Sequence, residues 1–159
     1  MATDMDLFIK ADEAYEAENF EEAFKIFKMM AESGDHNAFS NLGIMYECGQ
    51  GTEVNYQRAL FWYKKAWRFN EDSAACSNLA DFYRKQENVR AARYWWKKGI
   101  ARDSGDDALE CAKSYLVKLN KRNLEISKRL LLIATSSKCI SEDDREEAQA
   151  LLTSEVFNS

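Results

Sequence analysis

An all-α fold made of repeated helical hairpins is predicted by three observations. None of the 159 residues is proline, where average usage of about 5% would supply roughly eight, so long extended loops and proline-rich linkers are disfavoured. Small and apolar residues fall at i, i+4, i+5 and i+8, which is one face of a helix: Ala38, Leu42, Gly43 and Tyr46. The same string, with Asn41, returns 37 positions later as Ala75, Asn78-Leu79-Ala80 and Tyr83. A second string, Ala59 and Trp62-Tyr63-Lys64-Lys65-Ala66, returns after 33 positions as Ala92 and Trp95-Trp96-Lys97-Lys98-Gly99, and is foreshadowed 36 positions earlier by Ala23, Ile26-Phe27 and Met30. Two helix types therefore alternate. Neither can cover its apolar face alone, so neighbouring hairpins must stack to complete a core.

Taken in order, the periodic segments predict helices at about 4–17, 20–33, 36–47, 55–69, 73–85, 88–103, 106–118, 121–136 and 142–154. Gly34 and Gly105 stand where a helix should stop, because glycine adopts the left-handed cap conformation without steric cost. Ser141 followed by Asp144 reads as the start of the last helix, and Glu142, Asp143 and Asp144 suit the positive end of its dipole. Gly43, Ala80 and Ala112 on the first helix type, and Ala59, Ala66, Ala92 and Gly99 on the second, are expected where helices approach closely. Tyr46, Tyr63, Tyr83, Trp96 and Tyr115 then fill the space that small neighbours leave. Trp62, Trp67 and Trp95, beside Lys64, Arg68 and Arg93, read as packing residues of the second helices, with an exposed outer-face anchor as the alternative.

Charge is segregated along the chain. The net value of −5 divides into −7 for residues 1–35, +7 for 36–138 and −5 for 139–159. A basic middle attracts either an acidic protein surface or a phosphate backbone, while acidic ends and a pI near 5.1 oppose nucleic acid. The longest apolar run, Leu130 to Ala134, is five residues, where a membrane span needs about 20. The start, Met1-Ala2-Thr3-Asp4-Met5-Asp6, is acidic where a signal peptide needs a basic region followed by an apolar one, which gives a cytoplasmic expectation. Cys48, Cys76, Cys111 and Cys139 form no CxxC or CxxH pair and read as small buried hydrophobes; pairing of Cys48 with Cys76, or Cys111 with Cys139, is disfavoured in a reducing compartment. His36, the one histidine, lies near a helix start and reads as structural.

The stretch from Ala38 to Ala66 resembles a Sel1-like repeat, a relative of the tetratricopeptide repeat. It supplies that family's pattern as Ala38, Leu42-Gly43, Tyr46, Gly49, Gly51, Asn55, Arg58-Ala59, Trp62-Tyr63 and Lys65-Ala66, with Thr52, Asn55 and Arg58 as mild departures from Val, Asp and Lys. The long connection Cys48 to Val54 distinguishes it from tetratricopeptide repeats. The first unit, Ala11 to Ala23, and the third, with its short turn Gln86 to Val89, are similar to the tetratricopeptide pattern. The fourth keeps Ala112 and Tyr115, but its second helix, Leu124 to Ala134, lacks the aromatic pair. The resemblance implies a right-handed α-α superhelix, a solenoid of about four hairpins with a C-terminal capping helix: one repeat domain over 1–159, with units at about 4–34, 36–70, 73–104 and 106–137 and a cap at about 142–154 carrying Arg145, Glu146 and Glu147.

It also implies recognition as the activity, with the first helices lining a concave side. Residue-by-residue mapping gives Phe8, Asp12 and Tyr15; Ser40, Ile44 and Glu47; Ser77, Asp81, Arg84 and Lys85; and Lys113 as partner-binding positions. Arg84 and Lys85 are suited to a carboxylate. The expected partner is another protein or peptide, for an adaptor, scaffold or toxin-immunity type of protein, with no membrane, cofactor or metal. The alternative is an RNA-binding helical repeat, since basic grooves with interleaved aromatics bind single strands. An enzyme is least expected. Gly49-Gln50-Gly51 lacks the strand and GKS or GKT ending of a phosphate loop, no SxxK nucleophile motif occurs, and the regular cysteine pairs of beta-lactamase-like relatives are absent.

Overall fold

A computed structural model describes residues 3–70 and 73–157. Nine α-helices occur among the described residues: α1 (Asp4–Glu16), α2 (Phe20–Glu32), α3 (Ala38–Cys48), α4 (Tyr56–Asn70), α5 (Ser73–Lys85), α6 (Val89–Ile100), α7 (Gly105–Leu116), α8 (Lys121–Ser136) and α9 (Glu142–Thr153). A short 3-10 turn follows at Glu155–Phe157. They fall into two compact units, residues 1–71 and 72–159. The sequence-predicted boundary between the second and third hairpins, at 71–72, lies outside the described residues.

In the first unit, each helix packs on its sequence neighbours: α1 on α2, α2 on α3, and α3 on α4. The stripe Ala23, Ile26, Phe27, Met30 and Ala31 of α2 is buried. The expected pairing of small with large is realised at Gly43, where an added Cβ would lie 2.6 Å from Cε1 of Tyr63. Tyr63 and Tyr46 are 2% and 3% exposed. The long connection after α3 folds back toward the start of α2. Gly51 is required there twice over: its φ is +68°, and a side chain would run into the carbonyl of Phe20. Asn55 N–H donates to the Tyr46 carbonyl at 2.7 Å, closing this loop onto α3. His36 stacks flat on Phe69, 3.9 Å between ring centres, a packing role.

The second unit has two connected apolar clusters. Ala80, Ala92, Trp96 and Cys111 form one, against which Tyr83, Trp95 and Tyr115 pack partly buried. Ala108, Leu109, Ala112, Leu131, Ala134 and Ala148 form the other. The fourth hairpin, α7 with α8, therefore closes without an aromatic pair: Leu131 and Ala134 fill the interface, and Ser127 Oγ donates to the Ala112 carbonyl at 3.2 Å. The cap helix is fastened by charge-assisted bonds rather than by its polar face alone. Arg145 donates to the Thr135 carbonyl at 2.6 Å and the Ser137 carbonyl at 3.1 Å.

Several turns share one construction. Glu18, Glu87 and Asp103 hold left-handed φ values of 58°, 57° and 66°, and each is followed by a cap, Asn19, Asn88 or Ser104, whose side chain accepts from an N–H of the next helix. The N–H groups of those three caps reach back to the carbonyls of Ala14, Tyr83 and Gly99, which satisfies orphan acceptors at the preceding helix end. Gly34, with φ +97°, closes α2 as expected. Gly105 does not close a helix. The stop comes earlier, at Ile100, because Asp103 takes the left-handed position, and Gly105 is the first residue of α7. It is glycine because a Cβ would lie 2.5 Å from that of Ile140, where Gly105 N–H donates to the Cys139 carbonyl at 2.8 Å. The cysteine expectation is corrected too: Cys76 and Cys111 are buried, but Cys48 and Cys139, at a helix end and in a connecting segment, are exposed. Ser141 caps α9 by accepting from Asp144 N–H at 3.1 Å.

One polar group is buried at a helix contact. Asp107, 2% exposed, sits in the first turn of α7 and presses its carboxylate on Gly99 of α6. Ser77 Oγ of α5 donates to Oδ1 at 2.9 Å, and Oδ2 has no hydrogen-bond partner among the described residues. Burial pushes its pKa up to about 6, against the hydrogen bonds from Ser77 and Ser104, with Asp81 and Asp106 adding repulsion. Two outcomes follow from this contact. Gly99→Ala drives a methyl group into the Asp107 carboxylate and costs about 3 kcal/mol, read as a lowered urea midpoint; an unchanged midpoint contradicts the packing. Because the folded state binds a proton that the unfolded chain, with its carboxyl near 3.8, releases, the Asp107 contribution to stability rises as pH falls through about 6 and is complete near 4. It amounts to roughly 3 kcal/mol at about 1.4 per pH unit. Denaturation curves at pH 7 and 5 should show this rise in the parent relative to Asp107→Asn, and equal pH responses contradict it.

Candidate partner-binding site

The residues singled out in the sequence are distributed over both units, and each unit forms its own concavity. In the first, Asp12 and Tyr15 of α1 and Ile44 of α3 line a cavity of about 120 Å³ together with Phe27. Tyr15 is held in place: its hydroxyl donates to Gln50 Oε1 at 3.0 Å, and its ring meets Phe20 edge-on. Phe8 is half-buried and packs edge-on against Phe27, 5.7 Å between centres, and Ser40 is half-buried. Glu47 is only 9% exposed, and its carboxylate accepts from the Tyr63 hydroxyl at 2.7 Å, which commits it to the α3–α4 contact.

In the second unit a larger cavity, about 500 Å³, opens where the ends of α5 and α7 meet the starts of α6 and α8. It gathers Arg84 and Lys113 from the sequence-predicted set. Ser77 is half-buried and bonded to Asp107, so it serves the helix contact. Asp81 pairs with Arg84 at 3.2 Å on the same helix, and Lys85 is exposed beside them. Lys113 Nζ is held between Glu110 at 2.9 Å and Glu147 of α9 at 2.6 Å. Partial burial disfavours its charge, but the bonds to Glu147 and Glu110 outweigh that, and its pKa lies above the ordinary lysine value.

The cavity also uses residues that sequence reasoning missed. Val89, Trp96 and Val117 give it an apolar lining, and Arg93 and Lys118 add positive charge. The Arg93 guanidinium lies 3.7 Å from the Tyr115 ring centre and donates to the hydroxyl and carbonyl of Ser114 at 2.9 and 2.6 Å. Its partners are neutral, so its charge is not cancelled there. Val117 directly follows the last helical residue of α7, precedes Lys118, and is 88% exposed, which the sequence alone does not show. Trp62, Trp67 and Trp95 are all half-buried; Trp62 packs on Phe39 with Lys65 Nζ 4.7 Å above its ring.

Among the described residues no group of three or more His, Cys, Asp or Glu is placed to hold a metal, and the one strongly perturbed carboxyl, Asp107, faces Gly99 rather than a cavity. No described helix is long and apolar enough to cross a membrane.

Antiparallel helix pairs of recurring sequence, joined by capped turns, define a helical-repeat protein of the solenoid class. The Sel1 repeat profile matches residues 15–35, 40–66 and 73–104, half of the chain, which belongs to the Sel1 repeat family. A crystal structure of a Sel1 repeat protein from Oxalobacter formigenes is similar in fold, with a TM-score of 0.73 at 19% identity. The match covers 94% of this chain and 62% of that one, so the chain spans less than two thirds of that protein. No curated protein matches significantly. Sel1 repeats generally serve as protein-interaction modules and typically form non-catalytic scaffolds.

Arg93→Ala removes a ring contact and two hydrogen bonds at the cavity wall and should lower stability by about 1–2 kcal/mol. Arg93→Lys should recover less than half of that, since an ammonium cannot reproduce the planar fork. Thermal melts of the three proteins check this, and three equal melting temperatures contradict it.

Proposed function

We propose that this chain is a non-catalytic binding module, an adaptor or an immunity-type inhibitor of a partner protein, working in the cytosol. The observation that carries this reading is the cavity of the second unit, an apolar lining ringed by Arg84, Arg93, Lys113 and Lys118 in a family whose hairpins bind proteins. Apolar lining with a few placed charges is the usual composition of a recognition site. The contact set in this reading is Phe8, Asp12, Tyr15, Ser40 and Ile44 on the first unit, and Asp81, Arg84, Lys85 and Lys113 on the second. Glu47 and Ser77 contribute through the packing they hold. A cytosolic setting agrees with four cysteines that are all free thiols.

The test is affinity capture with the full chain as bait from lysate of its own source, with mass spectrometry of what is retained. A discrete protein should co-purify, and charge reversal of Arg84, Lys85 and Lys113 together should reduce its recovery at least tenfold. Retention of RNA instead, with affinity falling steeply with salt as phosphate contacts require, would replace this reading with the nucleic-acid one. Recovery of a protein that ignores the triple reversal would move the contact to the first unit.

A further inference from the structure

We infer that the cavity of the second unit takes a partner segment presenting an aliphatic or aromatic side chain beside a carboxylate, and that Glu147 of α9 competes with that carboxylate for Lys113. This rests on the protein-binding reading above and specifies its partner.

Three features of the cavity select the occupant. First, its volume of about 500 Å³ lies in the range of a ligand site, and Val89, Trp96 and Val117 line it. Val117, at 88% exposed, offers apolar surface that no other part of the unit covers. Second, the charge at the rim is positive but small. Arg84 is paired with Asp81, and Lys113 with Glu110 and Glu147. Lys118 makes no ion pair among the described residues, and Arg93 is bonded to neutral groups. One or two carboxylates complement this rim. A nucleic-acid backbone, with a charge at every residue, would meet Glu110 and Glu147 and forgo the apolar lining.

Third, a lysine of the cavity wall already holds a carboxylate from outside the lining. Glu147 arrives from a separate helix, 34 positions away along the chain, and accepts from Lys113 Nζ at 2.6 Å. Lys113 and Glu147 side chains are 33% and 45% exposed, so the pair is open to exchange with an incoming acid. An exposed pair of this kind contributes little, typically less than 1 kcal/mol, so its loss to a partner is cheap. The contact is a weak internal placeholder that holds Lys113 in position and is surrendered on binding.

The experiment pans a random peptide display library on the full chain, then titrates enriched peptides by fluorescence polarisation against the parent and folded variants checked by circular dichroism. Enriched peptides should place an acid within a few residues of a large apolar side chain. Val117→Asp should weaken them at least tenfold, and Lys113→Gln severalfold. Glu147→Gln, which removes the competitor, should tighten them roughly two- to fivefold. Enrichment of basic peptides, or titrations indifferent to Val117→Asp and Glu147→Gln, would overturn the inference. So would peptides lost on Tyr15→Ala or Ile44→Ser alone, while leaving the protein-binding reading intact. No enrichment, together with no protein recovered by affinity capture, would overturn both.

Discussion

Close approach of helices at residues with little or no side chain is the constraint from which the rest of the structure follows. Gly43 gives Tyr63 the room to lie against α3, and once there its hydroxyl reaches Glu47 at 2.7 Å. Ala80, Ala92 and Cys111 let Trp96 be 2% exposed in the second unit. Interiors are packed at crystal-like density, so each ring needs a matched depression, and the alternation of small and large fixes which faces meet. A hairpin locked in this way spends its apolar surface inward. Its ends remain, and the larger cavity of the second unit opens there.

The same constraint admits polar groups where a side chain is missing. Asp107 occupies the volume opposite Gly99, tied to Ser77 of one helix and capped with Ser104 at the start of its own. Burying a carboxylate with one oxygen unbonded is costly, and the raised pKa records that cost. What it gains is a bond linking α5 to α7 across α6. Farther along the second unit, where the aromatic pattern ends, hydrogen bonds from Arg145 replace it, so the closing helix is held by those bonds around a small apolar set including Ala148 and Leu151.

Much of this was legible. Periodicity placed the nine helices of the described residues, and the small positions Gly43, Ala59, Ala80 and Ala92 read as contacts because apolar spacing put them on the buried stripe. What was illegible has particular causes. Glycine marks left-handed turns in a sequence, but Glu18, Glu87 and Asp103 adopt them without it, and the readable clue was the Asn or Ser cap behind each. Gly105 looked like a stop because the reason for it, Ile140, lies 35 positions on. Asp107 reads as an ordinary acid of a first helical turn, since burial depends on Gly99 of another helix. The expected binding positions came from first-helix mapping; Arg84 and Lys113 among them line the cavity of the second unit, and Asp12, Tyr15 and Ile44 that of the first. That mapping overlooked Val89, Arg93 and Val117, because a cavity at hairpin ends draws on second helices and turns as well.

The recurrent small-against-large contact is tested most directly by a double-mutant cycle between Gly43→Ala and Tyr63→Leu, with stabilities from urea denaturation. If the ring is what the glycine accommodates, the added methyl group should be costly beside Tyr63 and tolerated beside leucine, giving a coupling of at least about 1 kcal/mol. Additive effects of the two substitutions would contradict the account.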